Sequence, residues 1–321
     1  MAVWRSAWAI LVILAASLGV CGCERGAGRG ERDANAPLRV VTTTAMIADA
    51  ARAVGGSRVQ VTSLMGEGVD PHLYKASPGD IRQLSEADLV LFNGLHLEGR
   101  MGDVLARLES RTPTVRVTDG ITGDRLREPP EFEGESDPHV WFDVGLWVSV
   151  VERVREALVA VDPEREPEYR AGAEGYLAQL RELDSWVRSE MGRIPEGRRV
   201  LVTAHDAFGY FGDAYGIEVL GVQGISTDSE ASIRDINALV DTLVERRVPA
   251  VFIESSVPQK TVQALVEGCR SRGHEVVIGG ELFSDAMGPS GTPEGTYIGM
   301  MRHNVRTITA ALSGGDEGAT P

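Results

Sequence analysis

Residues 167–192 read PEYRAGAEGYLAQLRELDSWVRSEMG, and the remainder of the chain arranges itself around them. Tyr169, Ala173, Tyr176, Leu180, Leu183, Val187 and Met191 recur at steps of three and four, so they share one stripe of a helix. At about 1.5 Å per residue that helix extends about 39 Å. It is long for a small domain and lies near the middle of a 321-residue chain, where a helix can join two lobes. Upstream, residues 144–161 form a second helical pattern. Val148, Val151, Val154, Leu158 and Val161 share one face, and Asp162-Pro163 closes it.

On either side of this helical pair, short apolar runs alternate with longer amphipathic stretches. Toward the N-terminus strands are predicted at 38–42, 58–64, 88–92 and 114–117, with helices at 45–54, 78–87 and 100–110. Toward the C-terminus strands are predicted at 199–203, 217–221, 250–253 and 275–278, with helices at 207–215, 229–246, 257–272 and 293–312. Such alternation indicates parallel sheets. The predicted fold class is therefore α/β with two lobes, 38–143 and 199–314, each a mostly parallel sheet flanked by helices. Helical residues 144–198 link them. Residues 119–138, with Pro129, Pro130 and many acids, read as a loop.

Hydrophobic residues make up 43 % of the chain and charged residues 25 %. These proportions exclude a disordered or fibrous protein. The net charge of -15 argues against a nucleic-acid partner and suits a cationic or neutral ligand. Arg5 precedes an apolar run at 7–20 that is too short to span a bilayer but fits a secretory signal. Cys21-Gly22-Cys23 follows, resembling the processing box of bacterial lipoproteins, with Cys23 favoured over Cys21 as the lipidated residue. Residues 24–37 hold no large apolar side chain and read as a flexible tether. The third cysteine, Cys269, reads as a small buried hydrophobe. No later stretch is long and apolar enough for a membrane-spanning helix.

The chemistry gathers at the ends of the predicted strands, where ligands of open α/β sheets collect. His72 follows Asp70-Pro71 and a turn containing Gly66 and Gly68. His139 follows Asp137-Pro138. His205 follows the strand at 199–203, and Asp285 lies in the glycine-rich loop 279–295. Three imidazoles and a carboxylate make a four-ligand site for a divalent metal such as zinc or manganese. Two ligands from each lobe would place the ion in the cleft between them. Four protein ligands leave no position for an activated water, which disfavours hydrolysis. No close-spaced motif such as H-E-x-x-H or C-x-x-C is present, so spacing alone leaves surface or helix-capping histidines as the alternative.

The segments Asp70-Pro71-His72-Leu73-Tyr74, Asp137-Pro138-His139-Val140-Trp141, Thr203-Ala204-His205-Asp206-Ala207-Phe208 and Phe283-Ser284-Asp285 resemble the ligand segments of the zinc/manganese solute-binding lipoproteins of ABC transporters, the TroA-like or ZnuA-like family. Residues 295–304, GTYIGMMRHN, are similar to that family's closing segment. The resemblance covers roughly residues 38–312. It implies two α/β lobes bridged by one rigid helix, here 167–192, and His72, His139, His205 and Asp285 as metal ligands. It also implies one zinc or manganese ion as cargo, a permease and its ATPase as partners, a lipid anchor on an exported monomer, and no enzyme activity. Dedicated zinc members often carry a His-rich acidic loop. The loop at 119–138 has Asp124, Glu128, Glu131, Glu133, Glu135 and Asp137 but no histidine before His139, which speaks against a zinc-only carrier.

Other residues have narrower readings. Asp206 and Glu254 are candidates for accepting the second ring N–H of a ligand histidine. His96 follows a strand but the ligand set is complete without it, and His274 and His303 read as surface or helix-packing residues. Trp141, Trp147 and Trp186 read as core. The rival functions are a zinc-dependent envelope hydrolase and a binding protein for a chelated metal or organic solute. Adhesion, ascribed to some lipoproteins of this type, would be an added role.

Overall fold

Eight β-strands and nine α-helices alternate among the described residues, 36–313 with Glu133 excepted, of a computed structural model. The predicted signal at 1–23, both candidate lipidation sites and nearly all of the predicted tether at 24–37 lie outside the described residues. The first sheet is parallel, in the order β2 (Val59–Ser63), β1 (Leu38–Thr42), β3 (Leu89–Phe92), β4 (Thr114–Arg116). In the second half β5 (Val200–His205) pairs in parallel with β6 (Glu218–Gln223), and β7 (Ala250–Glu254) with β8 (Val277–Leu282). β5 lies beside β7, so these two pairs adjoin.

Side chains alternate across each strand, and the alternation divides the core into three. In β1 and β3, Leu38, Val40, Leu89 and Leu91 face a central cluster, while Val41, Val90 and Phe92 face outward. The outward side is covered by α2 (Pro78–Glu86) and α3 (Gly102–Leu108) through Leu84, Leu105 and Leu108. The second half repeats the scheme. Leu201, Ala250 and Phe252 face the central cluster, and Val200, Val202 and Val251 meet α7 (Ile233–Arg246) and α8 (Lys260–Ser271). Cys269 is buried there, as expected.

The central cluster is filled by helices from both halves: α1 (Ala45–Gly55), α4 (Val144–Val161), α5 (Glu166–Met191), α6 (Gly209–Tyr215) and α9 (Tyr297–Leu312). Helix α5 carries the apolar stripe predicted at 167–192. Its buried side chains are the seven of the predicted stripe plus Leu177. It packs on α1 and α4 of the first half and on α6 and α9 of the second. The carboxylate of Asp49 on α1 accepts hydrogen bonds from Tyr176 Oη on α5 (2.9 Å) and from the Tyr297 N–H at the start of α9 (3.1 Å). One half-buried acid thus joins three helices across the two lobes.

Three sequence expectations need adjustment. In α4 the buried face is wider than the predicted stripe. Val144, Leu146, Trp147 and Val150 are buried, whereas Val148 and Val161 are only half-buried, because α1 and α5 flank the helix on two sides. Residues 279–282, expected as loop, belong to β8. Here glycine serves close packing: a Cβ on Gly279 would lie 2.8 Å from Ala311 Cβ and 2.9 Å from the Phe252 ring. Finally, β5 runs on through His205 instead of stopping at residue 203.

Gly172 shows how tightly the bridge is packed. A Cβ there would fall 2.3 Å from the carbonyl oxygen of Val54 on α1. Gly172→Ala should therefore destabilise the protein by about 1–3 kcal/mol through overpacking, although alanine is intrinsically the better helix former by about 1 kcal/mol. Thermal unfolding of the variant checks this, and a raised midpoint would show that α1 yields freely.

Candidate metal centre

The four predicted ligands converge. One ligand atom from each of His72, His139, His205 and Asp285 lies within 4.8 Å of all the others, and all four residues are buried. His72 Nε2 is 3.3 Å from His139 Nε2. The Asp285 carboxylate sits 3.8 Å from His72 Nε2, 3.4 Å from His139 Nε2 and 3.3 Å from His205 Nε2. His205 Nε2 and both Asp285 oxygens are buried without a hydrogen bond. Orphaned buried polar atoms are costly, so a converging set of them fits a bound cation.

Local sequence places each ligand. In both Asp-Pro-His segments the Asp carboxylate accepts the backbone N–H of the histidine, at 2.9 Å for Asp70 and His72 and 3.0 Å for Asp137 and His139. The motif is a side-chain-closed turn with proline fixing its centre. His205 ends β5, where its N–H donates to Glu254 Oε1 at 2.9 Å, on the neighbouring strand β7. Asp285 lies three residues beyond β8, next to Ser284, whose carbonyl accepts the Trp141 Nε1–H at 3.0 Å.

Two histidines are oriented by carboxylates. His139 Nδ1 lies 2.8 Å from Asp137 Oδ1, and His205 Nδ1 lies 2.5 Å from Glu254 Oε2. Each carboxylate keeps a proton on Nδ1 and turns Nε2 toward the centre. Of the two partners considered from sequence, Glu254 is on a ligand ring. Asp206 is half-buried, and its N–H donates to the carbonyl of Gln223 at 3.1 Å, on β6. Asp137 is the partner that sequence reasoning missed, though its signal was the repeated Asp-Pro-His itself. Asp137 is held in turn by Arg127 (2.9 Å), whose Nε–H reaches Asp213 (2.8 Å) on α6.

The remaining histidines stay outside. His96 is exposed and paired with Glu135 at 3.0 Å. His274 Nε2 is 2.8 Å from the Val248 carbonyl, and His303 Nε2 is 2.9 Å from that of Glu281. Trp141 and Trp147 are buried, and Trp186 is half-buried beneath the guanidinium groups of Arg302 and Arg306.

Electrostatics match a dication. Burial lowers the pKa of His139, but the Asp137 carboxylate on its ring and the nearby charge of Asp285 outweigh it and raise it to about 9. For His205 burial is likewise outweighed, by Glu254 and Asp285, and the pKa stands well above the ordinary value. Asp285 is held well below the usual carboxylate range, since His205 and His139 overcome its burial. His72 shifts down to about 3, chiefly through burial. Asp137, Glu254 and Asp285 bring three negative charges and Arg127 one positive charge.

Comparison with known proteins agrees with this geometry. Residues 40–311 match the family model described as ZnuA, "Zinc-uptake complex component A periplasmic". The chain is 50 % identical to the manganese-binding lipoprotein MntA of Bacillus subtilis, over 94 % of this chain and 97 % of that protein. It is 49 % identical to the zinc-binding protein TroA of Treponema pallidum, over 92 % of this chain and 98 % of that protein. The solved structure of periplasmic zinc-binding TroA from Treponema pallidum superposes with a TM-score of 0.84 at 51 % identity, covering 86 % of this chain and 99 % of that one. A family match across nearly the whole fold, on a chain whose buried imidazoles and carboxylate converge on one point, means that this protein belongs to the ZnuA family of zinc-uptake components.

Proposed function

We propose that the chain captures a divalent transition-metal ion, zinc or manganese, outside the cytoplasmic membrane and hands it to the permease of an ABC transporter for import. The observation that carries this reading is the buried quartet of His72, His139, His205 and Asp285, with ligand atoms within 4.8 Å of one another. All four act as metal ligands, with Glu254 and Asp137 orienting two of the imidazoles. The ion is cargo. Relatives named for manganese and for zinc are almost equally similar to this chain, so the reading keeps both ions. Three nitrogens bind zinc more tightly than manganese, while the carboxylate suits the harder ion.

The working protein is an exported monomer, tethered through a lipid on Cys23, with the permease and its ATPase as partners. Two lobes, 38–143 and 199–314, close on the ion around α5. The family and the four-ligand site give no support to the hydrolase reading. Growth of a strain lacking zinc and manganese uptake tests the proposal. Expressing the chain with its permease restores growth in metal-poor medium, and restoration by the His205→Ala chain to the same level would overturn it.

A further inference from the structure

Three of the four ligands rise from buried segments, and the fourth does not. Residues 137–142, 200–205 and 284–288 are buried throughout. His72 lies on a strap in which Gly66, Glu67, Gly68, Leu73, Lys75 and Ser77 are exposed. His139 belongs to the first half of the chain by sequence and keeps a tie to it, Asn93 Nδ2 donating to the Pro138 carbonyl at 3.1 Å, but three hydrogen bonds fasten its segment to the second. Tyr210 Oη donates to the Asp137 carbonyl at 2.9 Å, Trp141 Nε1 to Ser284 at 3.0 Å, and Tyr297 Oη to the Trp141 carbonyl at 2.7 Å. Phe142 stacks on Phe208 with ring centres 4.1 Å apart. His139, His205 and Asp285 therefore form one rigid body.

The strap has different ties. Gly68, with φ of 66°, gives it a bend that other residues adopt with strain. No carboxylate meets His72 Nδ1 among the described residues. Apart from the His72 ring, its hydrogen bond to the second half is Thr227 Oγ1 donating to Asp70 Oδ2 at 2.6 Å. The other oxygen of Asp70 accepts the His72 N–H, so this one carboxylate links Thr227 to the ligand. Next to it, Arg100 reaches Asp228 at 2.6 Å between exposed side chains.

We propose that His139, His205 and Asp285 form a fixed three-ligand cradle and that His72 is the movable fourth ligand, with the Thr227–Asp70 hydrogen bond as the latch that holds it over the ion. Opening the latch is the step that frees the cargo. Thr227 is a positioning residue, since it acts on the ion through Asp70 and His72. The inference rests on the metal-transport reading above and adds the order in which ligands let go.

The test follows zinc release from the full chain into excess chelator by stopped flow. Thr227→Val removes the donor at nearly constant volume and releases zinc roughly ten- to a hundredfold faster, with the association rate unchanged, as expected for a lost hydrogen bond to a charged group. Thr227→Ser restores slow release. His72→Ala still binds zinc through the cradle and releases it faster than the unaltered chain. Should Thr227→Val lower the unfolding midpoint of the metal-free protein, Arg100→Met carries the same test at an exposed pair, with a smaller acceleration. Release at the unaltered rate in these latch variants, or loss of all zinc binding in His72→Ala, overturns the latch and cradle while leaving the transport reading in place. An unaltered chain that binds neither zinc nor manganese overturns both.

Discussion

Zinc affinity falls by about a hundredfold or more between about pH 7.5 and about pH 5.5. The ion binds deprotonated imidazole, so every proton displaced on binding contributes about a tenfold loss of affinity per pH unit below the pKa of the group that held it. His139, with a pKa of about 9, holds such a proton across this whole range. His205, also raised, adds a second and steepens the slope. The direction follows from the carboxylates. Asp137, Glu254 and Asp285 favour the charged imidazoles, so protons compete with the metal more strongly than at an isolated histidine. His72, shifted to about 3, contributes nothing here. Affinity should go on rising with pH to at least about pH 9, where His139 becomes neutral before the ion arrives. Calorimetric titration at the two pH values measures the effect, and equal affinities would sink the assignment of these histidines.

Asp285→Ala should all but abolish stabilisation of the fold by metal. At a concentration a hundred times its dissociation constant, a ligand stabilises the folded state by about 2.7 kcal/mol. Four-ligand zinc sites are worth about 10 kcal/mol or more, so one ligand accounts for roughly a hundredfold in affinity. Such a loss leaves about 0.4 kcal/mol at the same metal concentration. The change in unfolding midpoint on adding metal then drops from several degrees to about one degree or less. The loss is greater for manganese than for zinc, because the carboxylate is the one hard ligand among three imidazoles. Removing it also takes away the charge that faces both His139 and His205. Equal midpoint shifts with metal in the variant and the unaltered chain would show that Asp285 is not a ligand.

Much of this was legible in the residues. The stripe at 167–192 appears as α5 (Glu166–Met191), because three- and four-residue spacing reports directly on which face of a helix is apolar. The alternation of strands and helices held in both halves, and His72, His139, His205 and Asp285 were each marked by neighbours that stop a strand or shape a turn. Other features were hidden for definite reasons. Glycine at 279 and 280 reads as loop until Phe252 and α9 are seen to press against that backbone. The face of α4 widens only because helices distant in sequence pack on two of its sides.

The two Asp-Pro-His segments show where the division lies. Sequence alone determined that each makes the same turn, since the Asp carboxylate reaches the histidine N–H two residues on. Only the tertiary structure decided where the second carboxylate contact goes. Asp137 turns to the ring of His139 and to Arg127, while Asp70 turns across to Thr227, 157 residues away. By sequence His72 and His139 belong to one lobe. By packing, His139 is fixed with the other, because Tyr210, Ser284 and Tyr297 bind its segment. A local pattern specifies the conformation of a few consecutive residues, whereas four ligand atoms within 4.8 Å are the product of contacts between segments that the chain itself keeps far apart.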